Sequence, residues 1–238
     1  MEKILTAREA NDCQSLVDAI GEGRSSELVV RKGLDALVSL CESTEAHRVM
    51  FGMTLGGIPL LLEVMREHKG NENIARVGFL AVRCLACNED IKTMVGESDG
   101  IPLLLEVLQE ECKRTRQFKE LLKGGGFIGF TRRSRAVGEQ GCRALRSLLN
   151  NDDNKKRFAE AGGFEIILSM MEEHGASNAG VALRGCGALK ILAVNADNKR
   201  KILAANGVSI VERMKLTWAS NGWVQTKADG ALCRLRYP

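Results

Sequence analysis

Three short motifs recur along this chain at one shared spacing, and that repetition limits the fold more than composition could. The pattern Ala-(Leu or Val)-x-x-Leu occurs as Ala36-Leu37-Leu40, Ala81-Val82-Leu85, Ala144-Leu145-Leu148, Ala188-Leu189-Leu192 and Ala231-Leu232-Leu235, at separations of 45, 63, 44 and 43 residues. A second series, Gly56-Gly57, Asp99-Gly100, Gly162-Gly163 and Asn206-Gly207, runs at 43, 63 and 44. A third begins at Asn88, Asn151 and Asn195 and ends on Lys92, Lys155 and Lys199. It precedes the last three glycine corners. A unit of this length cannot bury its own apolar face, so it must stack on its neighbours.

Each unit reads as three helices. A short first helix is expected to start after an Asn or Asp able to cap it, for example Asp153 or Asp197, and to stop at the glycine pair, where a left-handed turn costs glycine little. The second helix opens with Pro59 or Pro102 just inside its start, where the missing N–H is harmless. The third carries the Ala-Leu-x-x-Leu face. Gly33, Gly78, Gly141 and Gly185 fall inside third helices, where each costs about 1 kcal/mol against Ala unless close packing demands it. Their recurrence predicts helices in close contact.

With 45% hydrophobic residues and 27% charged in 238, the chain can build a substantial core. Aromatics are only 4%, so Leu, Ala, Ile, Val, Met and Cys must fill that core, which favours an all-helical design. No basic-then-apolar leader and no run of roughly 18 apolar residues is present. The eight cysteines are therefore read as reduced thiols. A cytoplasmic or nuclear location is expected by elimination. A net charge of +4 is too small to argue for nucleic acid by itself.

The Asn-x-Asp-Asn-Lys start, with Ala161-Gly162-Gly163 and Ala188-Leu189-x-x-Leu192-Ala193, resembles the armadillo repeat, and the resemblance covers essentially the whole chain. HEAT repeats, the nearest alternative, lack the glycine-cornered first helix. The resemblance implies an all-α, right-handed armadillo-type superhelical solenoid of about five three-helix repeats, near 1–42, 43–87, 88–150, 151–194 and 195–238. Third helices would then line a concave groove that holds a protein partner. Import receptors of this family carry a Trp and, four residues on, an Asn on each third helix. The matching positions here are Asp35, Leu80, Arg143, Gly187 and Gly230, then Ser39, Cys84, Ser147, Ile191 and Arg234. None fits, so an import receptor for basic peptides is not expected.

Cations gather on the third helices instead. Arg83, Arg146 and Lys190 are equivalent by repeat, with Arg76 and Arg143 beside them, and should form a ladder able to grip an extended acidic or mixed-charge segment. The candidate groove set is Asp35, Arg76, Leu80, Arg83, Arg143, Arg146, Ser147, Gly187, Lys190 and Ile191. A plain solvated charged face is the competing reading.

One interval of 63 residues marks an insertion near 111–137. From Lys113 to Arg135 it holds eight cations, including Arg114, Arg116, Arg132, Arg133 and Arg135, and one anion, Glu120, for +7. Subtracting seven from +4 leaves −3 for the rest. With Gly124-Gly125-Gly126 and Phe127-Ile128-Gly129-Phe130, the insertion reads as a basic, glycine-rich loop. It is a candidate for nuclear import, RNA or another anionic surface, or simply a solvated loop. No strand precedes the glycines and no Gly-Lys-Ser/Thr follows, so it is not a phosphate loop.

No catalytic constellation can be assembled. Cys84 and Cys87 have redox spacing but no further ligands for zinc. Cys142 and Cys186 share a repeat position next to Gly141 and Gly185, as core fillers would. His68 and His174 are equivalent and suit helix ends. A non-enzymatic scaffold without cofactor or metal is the expectation, either complete or as part of a larger armadillo protein.

Overall fold

The structure, a computed structural model, describes the backbone at residues 2–121 and 128–237, and the side chains of those residues except at 119, 121 and 128–135. It is all-helical. The fifteen α-helices among the described residues follow the chain in sets of three: α1 Glu2–Glu9, α2 Cys13–Glu22, α3 Glu27–Ser43; α4 Glu45–Val49, α5 Gly57–Glu67, α6 Glu72–Leu85; α7 Glu89–Glu97, α8 Gly100–Leu121, α9 Ile128–Leu148; α10 Asp152–Glu160, α11 Gly163–Met170, α12 Ala179–Leu192; α13 Ala196–Ala204, α14 Gly207–Thr217, α15 Gly222–Arg236. Two π-helical turns, Met50–Thr54 and Met171–Gly175, prolong α4 and α11.

Helices α3, α6, α9, α12 and α15 pack each on the next and form the spine of the stack. Every Ala, Leu and Val of the Ala-Leu-x-x-Leu pattern is buried on this spine. The recurrent third-helix glycines are where second-helix side chains press in. A Cβ on Gly141 would lie 2.4 Å from Leu108, and one on Gly185 would lie 2.5 Å from Met171. Such distances are untenable, so glycine is required by packing.

The glycine corners hold two glycines for two reasons. Gly56 and Gly162 have φ of 65° and 69°, in the left-handed region. Asp99 and Asn206 take the same role at 54° and 58°. The second residue, by contrast, faces a close neighbour: a Cβ at Gly163 would meet the Phe158 ring at 2.4 Å. Phe158 in turn meets Phe164 edge-to-face at 5.8 Å.

Two details differ from the sequence reading. The first helices are capped by Asn88, Asn151 and Asn195, whose side chains accept from Ile91, Asn154 and Asn198 N–H groups. Asp153 and Asp197 instead sit inside the first turn, where their charge favours the helix N-terminus.

The insertion near 111–137 is also not a loop along its described length, because α8 continues to Leu121 and α9 begins at Ile128. Leu108, Cys112 and Thr115 are all buried, so the helical apolar stripe runs on past Glu111 while Lys113 and Arg116 take the exposed side. Gly124 to Gly126 lie outside the described residues. So do the side chains of Arg132, Arg133 and Arg135.

Candidate partner-binding face

Arg83 on α6, Arg143 and Arg146 on α9, and Lys190 on α12 lie on one continuous face of the spine, on successive packed helices. The contacts between helices show how their side chains run. Arg146 passes over Gly187, with Nε 3.5 Å from where a Cβ would stand, and Lys190 passes over Gly230, with Nζ at 3.1 Å. Gly187 and Gly230 are therefore seats for the cation of the preceding third helix.

The remaining predicted residues divide. Arg76 is half-buried and has no ion pair among the described residues. Leu80 packs half-buried against the core. Asp35 lies 3.9 Å from Arg31 on its own helix. The Ser147 hydroxyl donates to the Arg143 carbonyl at 3.2 Å, so it is spent within α9. Ile191 lines a cleft of about 470 Å³ with Asp152, Lys155 and Asn198, against α10.

Three residues absent from the sequence reading complete the face. Glu42 accepts from Arg83 at 3.3 Å, and Glu139 pairs with Arg143 at 2.7 Å. Arg184, one turn before Gly187, has no ion pair among the described residues. Burial, then the positive charges of Arg143 and Arg146, push its guanidinium below the usual range. A signal for it existed: Arg184 stands three residues before Gly187, hence on the same side of α12.

The described basic residues of the insertion are differently employed. Arg114 donates to Glu111 at 2.9 Å and to the Gly70 carbonyl at 2.8 Å, and approaches Glu72 at 3.7 Å. Arg116 pairs with Glu173 at 2.7 Å and donates to Ser169. Their charge is committed to holding α8 against neighbouring helices. Lys113 is exposed.

No protein-family model matches the chain, and no curated protein matches its sequence. Among solved structures, an engineered protein from the Northeast Structural Genomics Consortium matches with a TM-score of 0.71 at 16% identity, over 98% of this chain and 83% of that one. The likeness is one of fold alone. A chain from work on a phosphorylation switch between cadherin and beta-catenin has a TM-score of 0.48 at 14% identity, over 98% of this chain and 47% of that one. A computationally designed self-assembling cyclic homo-oligomer has 0.34 at 14% identity, over 98% and 92%. Neither carries an argument.

The thiols and histidines occupy packed positions. Cys84 is buried, which pushes its thiol up to about 11, while Cys87 is exposed. Burial likewise raises Cys142 and Cys186 to about 12. His68 Nε2 lies 2.6 Å from the Arg24 carbonyl, tying α5 to the preceding set, and His174 is buried with Nε2 3.5 Å from the Thr115 hydroxyl. Among the described residues, no three His, Cys, Asp or Glu side chains are grouped to hold a metal ion. No single described helix is long and apolar enough to cross a membrane.

Proposed function

We propose that this chain is an armadillo-type right-handed solenoid of five three-helix repeats, near the boundaries given above, and that it acts as a non-enzymatic scaffold. Its third helices bind an extended, acidic segment of a partner protein. One observation carries the reading: Arg76, Arg146, Arg184 and Lys190 share the face of the spine and lack ion pairs among the described residues, and the positive charges of Arg143 and Arg146 bear directly on Arg184. Unpaired cations held close together repel one another, and a polyanionic segment laid along them relieves that repulsion. The likeness in fold to the engineered protein supports the helical stacking.

The test is fluorescence anisotropy with a labelled oligo-glutamate peptide long enough to cross three helices. The native chain binds it, and raising the salt concentration weakens binding. Combined reversal of Arg83→Glu, Arg146→Glu and Lys190→Glu reduces affinity at least about tenfold, since like charges placed opposite each other cost several kcal/mol. Circular dichroism checks that the triple variant keeps its helices. Unchanged affinity in a folded triple variant removes the groove assignment.

A further inference from the structure

The contacts between third helices fix their register. A Cβ on Gly180 would lie 2.3 Å from the Glu139 carboxyl carbon, one on Gly187 would lie 3.5 Å from Arg146 Nε, and one on Gly230 would lie 2.9 Å from Lys190 Cδ. In repeat-aligned positions, each of these side chains leans by one helical turn toward the N-terminal end of the next helix. Helical side chains point that way by construction. The same lean joins Glu42 of α3 to Arg83 of α6.

This register gathers the arginines. Arg143 precedes Arg146 by one turn and Arg184 precedes Gly187 by one turn, so the contact of Arg146 with Gly187 brings Arg143 level with Arg184. Arg83 is the repeat equivalent of Arg146 and therefore comes level with Arg143. Three arginines on α6, α9 and α12 make a row, and Arg146 stands one turn beyond it. Glu42 and Glu139 pair with Arg83 and Arg143, and Glu139 also offsets part of the positive charge around Arg184. The Nε atoms of Arg83, Arg143 and Arg184 are buried and donate no hydrogen bond.

Resting on the groove reading above, we propose that a phosphorylated serine or threonine of the bound segment seats between Arg143, Arg146 and Arg184, with Arg83 at the edge of the seat. A carboxylate offers one charge and two oxygens, enough for one guanidinium fork. A phosphoester near pH 7 carries about −1.5 to −2 and three acceptor oxygens, so it can take N–H groups from three forks together. Arginine suits this better than lysine because its donors are fixed in a plane. The repeat equivalents of Arg184 are Lys32, Val77, Gln140 and Lys227, so no other third helix carries an arginine there.

Two labelled glutamate-rich peptides, identical except for a central serine or phosphoserine, distinguish this inference from the groove reading. Anisotropy titrations of the native chain give about tenfold tighter binding for the phosphoserine peptide, a gain of about 1.4 kcal/mol. That gain shrinks as pH falls from about 7.5 to about 5, through the second phosphate ionisation near 6. R184Q and R146Q each weaken the serine peptide about as much as K190Q does, but in addition cut the phosphoserine gain to about twofold. K190Q, outside the seat, weakens both peptides alike. Equal affinity of the native chain for the two peptides overturns the phosphate seat alone, as does an undiminished gain in both R184Q and R146Q. Binding of neither peptide overturns the seat and the groove together.

Discussion

Gly141 and Gly187 lie in adjacent third helices, but packing demands glycine only at Gly141, so the two substitutions have opposite expected outcomes. At Gly141 a Cβ would stand 2.4 Å from Leu108 Cδ2 and 3.0 Å from its Cγ, too much of the side chain to swing aside. At Gly187 the nearest atom is Arg146 Nε at 3.5 Å, an ordinary contact. Alanine gains about 1 kcal/mol of helix propensity at either site. Gly187→Ala is thus expected to leave stability unchanged or raise it by up to about 1 kcal/mol, whereas Gly141→Ala loses about 1–3 kcal/mol through overpacking. Urea unfolding of the two variants checks this, and equal effects contradict the assigned contacts. The tight glycines were legible from their recurrence alone. Arg184 was legible only as a same-side neighbour of Gly187, because matching motif positions across repeats does not reveal that each side chain leans a full turn onto the next helix.

The lengthened pair α8 and α9 shows where an element was misread and why. Eight cations and four glycines within the insertion draw attention away from the apolar residues that lie between them. The helical stripe of Leu108, Cys112 and Thr115 is nonetheless continuous, and Thr115 joins it because a neighbouring helix buries it. Charge also misled: Arg114 looked like part of a binding patch, but it answers Glu111, which is 1% exposed. Removing one partner of a buried pair costs about 3–5 kcal/mol when the other is left alone, and Glu111 keeps further interactions. Arg114 is itself 29% exposed on its side chain, which trims the effect. Arg114→Ala is expected to lower stability by about 2–4 kcal/mol, and Lys113→Ala, on the exposed side, to change it by less than about 0.5. A urea midpoint for Arg114→Ala matching that of Lys113→Ala counts against Arg114, through its contacts with Gly70 and Glu72, as a fastening for α8.

At the scale of the whole molecule, the stacking order was legible because three motifs keep one phase, and the order of packed third helices follows that phase from α3 to α15. Spacing alone holds no information on the hand of the stack or on the lateral register of its side chains. The thiols distributed along the stack add a property that belongs to the whole fold. Burial pushes Cys41, Cys142 and Cys186 up to about 12, and Cys84 and Cys112 up to about 11, from an ordinary value of 9.0. A group whose folded pKa lies above its unfolded one binds its proton more tightly in the native state. Its contribution is complete below about pH 9 and is lost as pH rises toward 11 or 12. Stability should therefore fall between pH 9 and 11, first by ionisation in the unfolded chain and only later in the native one. Lysine titration weakens surface ion pairs over the same range, so the decisive comparison is with Cys142→Ala/Cys186→Ala. That variant carries smaller core fillers and starts less stable at pH 7.5. The drop in its urea midpoint from pH 7.5 to pH 10.5 is nevertheless expected to be smaller than that of the native chain, because two of the linked thiols are gone. An equal drop in both proteins means that the thiols do not contribute to the alkaline limit of the stack.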